Sequence, residues 1–339
     1  MPEIPRPTPQ RLEADTALIR LADAAILWAV RLSVPLRHPR TYRWYARRYA
    51  GTARWPDAAL PRTLDDKFLW RKVFDRDPRF VILSDKLAVK DWVANHCPGL
   101  GTARVLWVGD RAADIPDDVF EGPVVVKANH AWNTNFFAVD GPPDRSRMEP
   151  EVDRYLRVDH GTDDLQWAYW PIDRKLFVEE FLGPDAEELM ELKIYTFGER
   201  IERMIAIYGR YGAMSADVWS PDKNGALART DEVAAVSPTR AQRDMNAPAA
   251  RAVDYARILG APFDHMRIDF ISDGTHLWLG ELTVYNLKGH MAHMGADPDH
   301  PLNAAWDLRR SWFLSTPQSG WRRLYARALG RVLERRARH

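Results

Sequence analysis

Residues 265–286 read HMRIDFISDGTHLWLGELTVYN, and this stretch decides the architecture. Two apolar runs flank Asp273-Gly274, a dipeptide that favours a tight reversal between antiparallel strands. Charged residues interrupt the runs at Arg267, Asp269 and Glu281. A carboxylate inside an apolar strand needs a partner or a cation to offset its desolvation. Loop length decides whether the two carboxylates cooperate, because a one-residue change of register moves every side chain to the other face. A two-residue loop pairs Asp269 with Trp278 and puts Glu281 on the opposite face. A three-residue loop, with Gly274 left-handed, pairs Asp269 with Leu279 and Arg267 with Glu281. Arg267, Asp269, Glu281 and Thr283 then share one face. The carboxylates become diagonal neighbours about 7 Å apart, able to converge on one Mg²⁺ with phosphate oxygens completing its shell. The competing reading is a buried Arg267–Glu281 salt bridge with Asp269 facing solvent.

Upstream, Pro248 to Leu259 reads as a helix, with proline in the first turn and Gly260 placed for a left-handed cap. Strands are expected at 105–108, 124–127, 176–181, 192–197 and 203–208, with 136–139 completing a hairpin and antiparallel pairing in the later ones. The segment between that hairpin and about Trp170 is polar and acidic, with no element assigned. Helices are expected at 64–74 and, with Ser84 as N-cap, at 85–96. Near the start, Leu18, Leu21, Ala25, Trp28 and Leu32 recur at helical spacing, and Tyr42, Trp44, Tyr45 and Tyr49 suggest a second helix beyond Pro35 and Pro39. Such aromatic and apolar positions beside arginines usually mean packing against the neighbouring lobe, and only sometimes a membrane-lying face. The first ten residues, with four prolines, read as a lead-in without structure. Strands and helices follow no strict βαβ order, and neither GxGxxG nor GxxxxGK[ST] occurs. The fold class is therefore α+β and not a Rossmann fold.

Composition narrows the function. At 339 residues, 46% hydrophobic and 28% charged with 14 Trp, the chain has ample apolar surface for two or three packed subdomains. One cysteine, Cys97, excludes an internal disulfide framework and a cysteine-rich zinc site, and suits a reducing, cytoplasmic compartment. No HExxH spacing accompanies Asn129, His130, His290 and His293, so a zinc enzyme is rejected. Net charge of +1 offers no overall field for nucleic acid, but arginines crowd the C-terminal end from Arg309 onward. These read as a solvated helix face, the alternative being peripheral contact of the basic termini with an anionic inner-membrane surface or a polyanionic substrate.

Lys127 ends the run Val124-Val125-Val126, and Lys193 sits inside Glu191-Leu192-Lys193-Ile194-Tyr195. A strand lysine aimed into a cleft is a point charge suited to a phosphate chain. Glu179 and Glu180 are adjacent and point to opposite faces, so one can serve a ribose while the other is solvated. Lys90, on the early helix, is a reference lysine with no expected role.

Taken in order, Ser84-Asp85-Lys86, Val126-Lys127-Ala128-Asn129-His130, Glu179-Glu180-Phe181-Leu182, Glu191-Leu192-Lys193-Ile194-Tyr195, Arg267-Ile268-Asp269 and Gly280-Glu281-Leu282-Thr283 resemble the TupA-like ATP-grasp family, named for a protein of teichuronopeptide biosynthesis. The likeness runs from about Leu64 to Gly289. It implies an ATP-grasp fold, two α+β subdomains gripping ATP, here with N- and C-terminal helical extensions. The expected bounds are 1–62 (helical extension), 63–117, 118–182 and 183–315 (N-terminal, lid-like and C-terminal subdomains) and 316–339 (basic helix). By position, Lys86, Lys127, Glu179, Glu180 and Lys193 would bind nucleotide. Lys193 and Arg267 would act in catalysis, and Asp269, Glu281 and Thr283 or Asn286 would hold Mg²⁺.

The implied activity is an ADP-forming carboxylate–amine ligase of envelope or surface-polysaccharide biosynthesis. Its substrates would be small or polysaccharide-linked, and Tyr285 to Met294 would lie where the acceptor approaches. The alternatives are a phosphotransferase acting on a sugar or lipid hydroxyl and a non-catalytic nucleotide-binding assembly protein. Two departures stand out. The run Ala131-Trp132-Asn133-Thr134-Asn135 has no glycine where a phosphate loop often has several, and the usual Glu-x-Asn metal pair is replaced by Glu281-Leu282-Thr283.

Overall fold

A computed structural model describes residues 16–50, 54–183, 189–209, 212–291 and 294–338. His293 and the proline-rich lead-in lie outside them. Packing divides the chain into two units, one of Met1–Asp77, Asp163–Leu165 and Tyr285–His339, the other of Pro78–Thr162 and Gln166–Val284.

The second unit carries both sheets. Four strands, β2 (Val105–Gly109), β3 (Val124–Ala128), β4 (Asn135–Ala138) and β5 (Leu176–Glu180), form an antiparallel sheet in the order β2-β5-β3-β4. Seven strands form the other in the order β1-β11-β10-β6-β7-β8-β9. They are β1 (Gly101–Thr102), β6 (Met190–Phe197), β7 (Arg200–Tyr208), β8 (Ser215–Pro221), β9 (Leu227–Arg229), β10 (Met266–Ser272) and β11 (Leu277–Thr283). Only β1 on β11 is parallel among these pairings. The expected strands are all present.

Helix α6 (Arg145–Tyr155) packs on the smaller sheet, burying Met148 and Val152. It falls in the segment to which the sequence assigned no element. Its apolar positions are too few to mark a helix, and Asp144, which caps it by accepting from Ser146 N at 3.0 Å, is a common loop residue too. Helix α7 (Ala247–Gly260) packs on the larger sheet. Gly260 is not the left-handed cap expected there. It is the last helical residue, and a Cβ on it would meet Thr196 Oγ1 at 2.4 Å and Gly198 O at 2.8 Å, so close approach to the sheet is what requires glycine. The expected helix at 85–96 is also revised. Ser84 ends α4 (Arg79–Ser84), and α5 (Ala88–His96) starts later, after Asp85 Oδ1 has accepted from Leu87 N and Ala88 N.

The first unit is helical. Helix α3 (Leu64–Val73) begins at a capping box formed by Thr63 and Asp66 and is buried from Leu64 to Lys72. Around it lie α1 (Ala17–Arg37), α2 (Pro39–Arg48), α8 (Leu302–Ala305), α9 (Trp312–Ser315) and α10 (Gly320–Ala337). The basic C-terminal helix is not merely a solvated face. Its Tyr325 is fully buried, accepting from Trp70 Nε1 at 3.0 Å and donating to the carbonyls of Ala58 and Ala59. Arg331 and Arg335 close on Asp23 of α1, which has no exposed surface. Removing one partner of such a cluster leaves the others uncompensated. Asp23→Asn is therefore expected to cost about 2 kcal/mol, below the fully buried range because both arginines keep some water. Urea denaturation would measure it, and an unchanged midpoint would contradict it.

Helix α1 also reverses an expectation. Its buried residues are Asp23, Leu27, Val30 and Val34, whereas Leu18, Leu21, Trp28 and Leu32, whose spacing suggested packing within the protein, face solvent. Both stripes have helical period, and periodicity alone does not say which one a neighbour covers.

Candidate active site

The β10–β11 register differs from both loops considered. Ser272 pairs with Leu277, leaving a four-residue loop, and a bulge between Asp269 and Phe270 shifts the remainder so that Asp269 opposes Glu281 directly and Arg267 opposes Thr283. Gly280 takes up the extra residue; a Cβ there would lie 3.3 Å from Asp269 O. The four side chains share a face, as expected, but through the bulge and not through a three-residue loop.

Arg267 grips Asp269 with Nε to Oδ1 at 2.7 Å and a terminal nitrogen to Oδ2 at 2.8 Å, and reaches Thr283 Oγ1 at 3.1 Å. Lys193 on β6, opposite Asp269 in register, donates to Oδ2 at 2.9 Å. The competing Arg267–Glu281 bridge with a solvent-facing Asp269 is thus corrected: Asp269 is 8% exposed and is the residue Arg267 holds. Burial by itself would raise the Asp269 pKa, but Arg267 and Lys193 outweigh it and hold the carboxyl below its ordinary value. Burial likewise opposes the charge on Arg267, and Asp269 more than restores it.

On the smaller sheet, Glu179 and Val125 oppose each other, as do Lys127 and Phe177, so Lys127 and Glu179 occupy one face. Lys127 Nζ donates to Glu179 Oε1. Lys90 reaches Oε2 at 2.8 Å and also donates to Ala103 O at 2.7 Å. Lys90 is therefore no neutral reference but part of the site. Its four-residue spacing from Lys86, in Asp85-Lys86-Leu87-Ala88-Val89-Lys90, was the available signal. Burial raises the Glu179 pKa, but Lys127 and Lys90 outweigh it and leave the carboxyl below its ordinary value. Glu180 faces the other way, with Val124. It accepts from Arg104 N at 2.9 Å and lines an open cavity of about 570 Å³ with Leu106, Val119 and Phe181. The two glutamates do face opposite sides, and Glu179 is the one among the lysines.

Lys86 sits in the turn between α4 and α5, not on a helix. Its Nζ donates to Ala131 O at 2.5 Å, and Asn133 in the same loop takes a positive φ of 57°. Asparagine tolerates that conformation, so the missing glycine does not prevent the loop from turning. Burial lowers the Lys86 pKa, against Glu281 of the larger sheet and Glu179 of the smaller, while Lys127 lowers it further. Charged residues of both sheets are thus near enough to the Lys86 amine to act on it electrostatically.

Asn286 belongs to the first unit, where its Nδ2 donates to Met291 Sδ at 3.8 Å. The adjoining backbone is strained: Leu287 and Lys288 hold positive φ of 45° and 63°. Lys72 Nζ donates to Lys288 O at 2.5 Å, and Tyr45 Oη donates to Gly289 O, both from helices of the same unit. Burial pushes the Lys72 amine down to about 8. His130 is buried, its Nε2 against Val158 O at 3.2 Å, and His290 lies against Trp44. Among the described residues no group of three or more His, Cys, Asp or Glu could hold a metal. Asp269 and Glu281 are opposed on one face, and Mg²⁺ usually takes one or two carboxylates with phosphate oxygens and water. Both Asp269 oxygens, however, already accept from Arg267 and Lys193, which leaves Glu281 as the carboxylate outside that network.

Two antiparallel-rich sheets, each with lysines and carboxylates on one face, are the frame of a nucleotide-grasping fold. The chain belongs to the TupA-like ATP-grasp family, which matches residues 66–304. No curated protein matches it. Solved structures similar to it include the ATP-grasp ligase PsnB complexed with minimal precursor (13% identity, 68% of this chain, 61% of that one, TM-score 0.35). D-alanine–D-alanine ligase from Helicobacter pylori is similar at 13% identity over 68% and 63%, TM-score 0.40. D-cycloserine synthetase DcsG is similar at 17% over 75% and 71%, TM-score 0.36. The chain spans less than two thirds of the length of the first two.

Lys127→Ala and Lys193→Ala are each expected to weaken ATP binding or its use in turnover by about 2–4 kcal/mol. Arg104→Ala, on the opposite sheet face with Glu180, is the control. Equal losses in all three, read by calorimetry and initial rates, would deny the strand lysines any special placement.

Proposed function

We propose that the protein is an ADP-forming ATP-dependent ligase that joins a carboxylate to an amine through an acyl phosphate. The observation that supports the reading is the pair of charged strand faces, Lys127 held by Glu179 on the smaller sheet and Lys193 held by Asp269 opposite Glu281 on the larger, in a chain of ATP-grasp family. Lys86, Lys127 and Lys193 would neutralise the triphosphate, Glu179 would align Lys127 and Lys90, and Glu179 or Glu180 would receive the nucleoside end. Asp269 and Glu281, with Thr283, would hold Mg²⁺. When bound, the ion offsets charge on the phosphate oxygens. The acceptor carboxylate attacks the γ-phosphorus and ADP leaves. The amine then attacks the acyl carbon, phosphate leaves and the amine proton is released. Arg267 would stabilise the negative charge that develops at the acyl centre, with Asp269 fixing its orientation.

The subdomains are assigned to 63–117, 118–182 and 183–315, with extensions 1–62 and 316–339. A cytoplasmic location and a role in envelope or surface-polysaccharide biosynthesis belong to the same proposal, the latter resting on family resemblance. The test is a screen of uronic acids, amino acids and peptide carboxylates, scoring ADP and hydroxylamine-trapped hydroxamate together. ADP with hydroxamate is the expected result. AMP would overturn the reading, and ADP with a stable phosphate ester would replace ligase by phosphotransferase.

A further inference from the structure

Helix α1 carries an apolar stripe that none of the described residues covers. Leu18, Leu21, Trp28, Leu32 and Leu36 are 76%, 69%, 61%, 46% and 80% exposed. With Ala25 they follow three- and four-residue steps along the helix, which places them on one face. The buried face, Leu27, Val30 and Val34 with Asp23, lies roughly opposite on the helical wheel. On α10, which packs against α1, Trp321 and Leu324 are also about half exposed, and Arg37 of α1 lies over the Trp321 ring at 5.6 Å. A row of large exposed apolar side chains is unusual on a monomer and marks an interaction surface.

The charge around this stripe indicates what it meets. Helix α1 has three arginines, α2 four and α10 six, against two acids, Asp23 and Glu334, in a chain whose net charge is only +1. Asp23 is buried under Arg331 and Arg335 and contributes no negative surface. Arg20, Arg37, Arg40, Arg43, Arg47, Arg323 and Arg327 are exposed. We infer that this face docks peripherally on an anionic lipid surface, with the leucines and Trp28 entering the headgroup boundary and the arginines pairing with lipid phosphates. Among the described residues no helix is long and apolar enough to cross a membrane, so α1 lies on the surface. The three–four spacing would also seat a second copy of α1. A two-fold contact, however, sets a patch against itself, and here it would oppose arginine to arginine.

The experiment is flotation of the full chain with phosphatidylglycerol–phosphatidylcholine vesicles and with phosphatidylcholine alone, plus sedimentation velocity without lipid. Binding is expected on the anionic vesicles at roughly 0.05 M salt, with release at about 0.5 M and little on the neutral ones. Leu21→Gln/Trp28→Gln/Leu32→Gln should lower the partition coefficient at least about tenfold with its melting transition retained. Should that variant melt early, Arg40→Gln/Arg43→Gln/Arg47→Gln carries the test through charge, with the same direction of effect. Absence of parent binding to anionic vesicles, or equal binding by parent and variants, overturns the inference. So does a parent dimer that the apolar variant converts to monomer without a lipid interaction, which would assign the stripe to self-association.

Discussion

Glu281→Gln is expected to lower turnover by about 100- to 1000-fold while leaving the melting transition near that of the parent. Glu281 is half-buried and opposes Asp269, but it is not the residue that Arg267 grips, so removing its charge leaves the Arg267–Asp269–Lys193 network intact. Asp269→Asn should behave differently. It is expected to abolish turnover and also to cost about 2–4 kcal/mol of stability, because Arg267 and Lys193 lose the charge that compensates their own burial. The pair separates two roles. Parallel loss of stability in both variants would make the carboxylates structural, and full activity in Glu281→Gln would remove it from the site.

Glu179→Gln is the second large effect. The carboxylate joins Lys127 and Lys90 and lies beside Lys86, so its neutralisation leaves three ammonium groups in close company. A stability loss of about 2 kcal/mol is expected, moderated because both paired lysines keep some water. The sign with pH follows from the direction of the shift. A folded-state pKa below the unfolded one contributes stability that is fully present above the ordinary carboxylate range and is lost as pH falls through the folded value. The parent should therefore lose more stability than Glu179→Gln between neutral pH and strong acid, approaching it at the acid end. Parallel stability–pH curves would show that Glu179 gains nothing from the lysines. Bound ATP should offset part of the lysine repulsion in the variant, so its ligand-induced rise in melting temperature tests whether the cluster receives phosphates.

Much of this was legible in the chain itself, for reasons particular to each element. Asp269 and Glu281 stood out because ionised groups are rare inside apolar strands, and alternation then restricted which residues could share their face. Lys127 and Lys193 stood out for the same reason. Lys90 did not, because a lysine on a helix is ordinary until the strand facing it is known. Helix α6 escaped because its buried residues are few and its sequence is dominated by charge.

The chain's own pattern thus specified periodicity and chemistry: α+β elements in ATP-grasp order, a face of charged strand residues, and an apolar stripe of helical period on α1. The tertiary structure decided what depends on partners distant in the chain. The bulge at Gly280 set Asp269 opposite Glu281, Glu179 drew Lys90 into the site, Asp23 turned α10 from a solvated helix into part of the first unit, and close packing on Thr196 explained Gly260. Local pattern states which side chains can lie on one face. Only the packing of remote segments, whose contacts must together offset chain entropy, selects the face that is buried and the charges that meet.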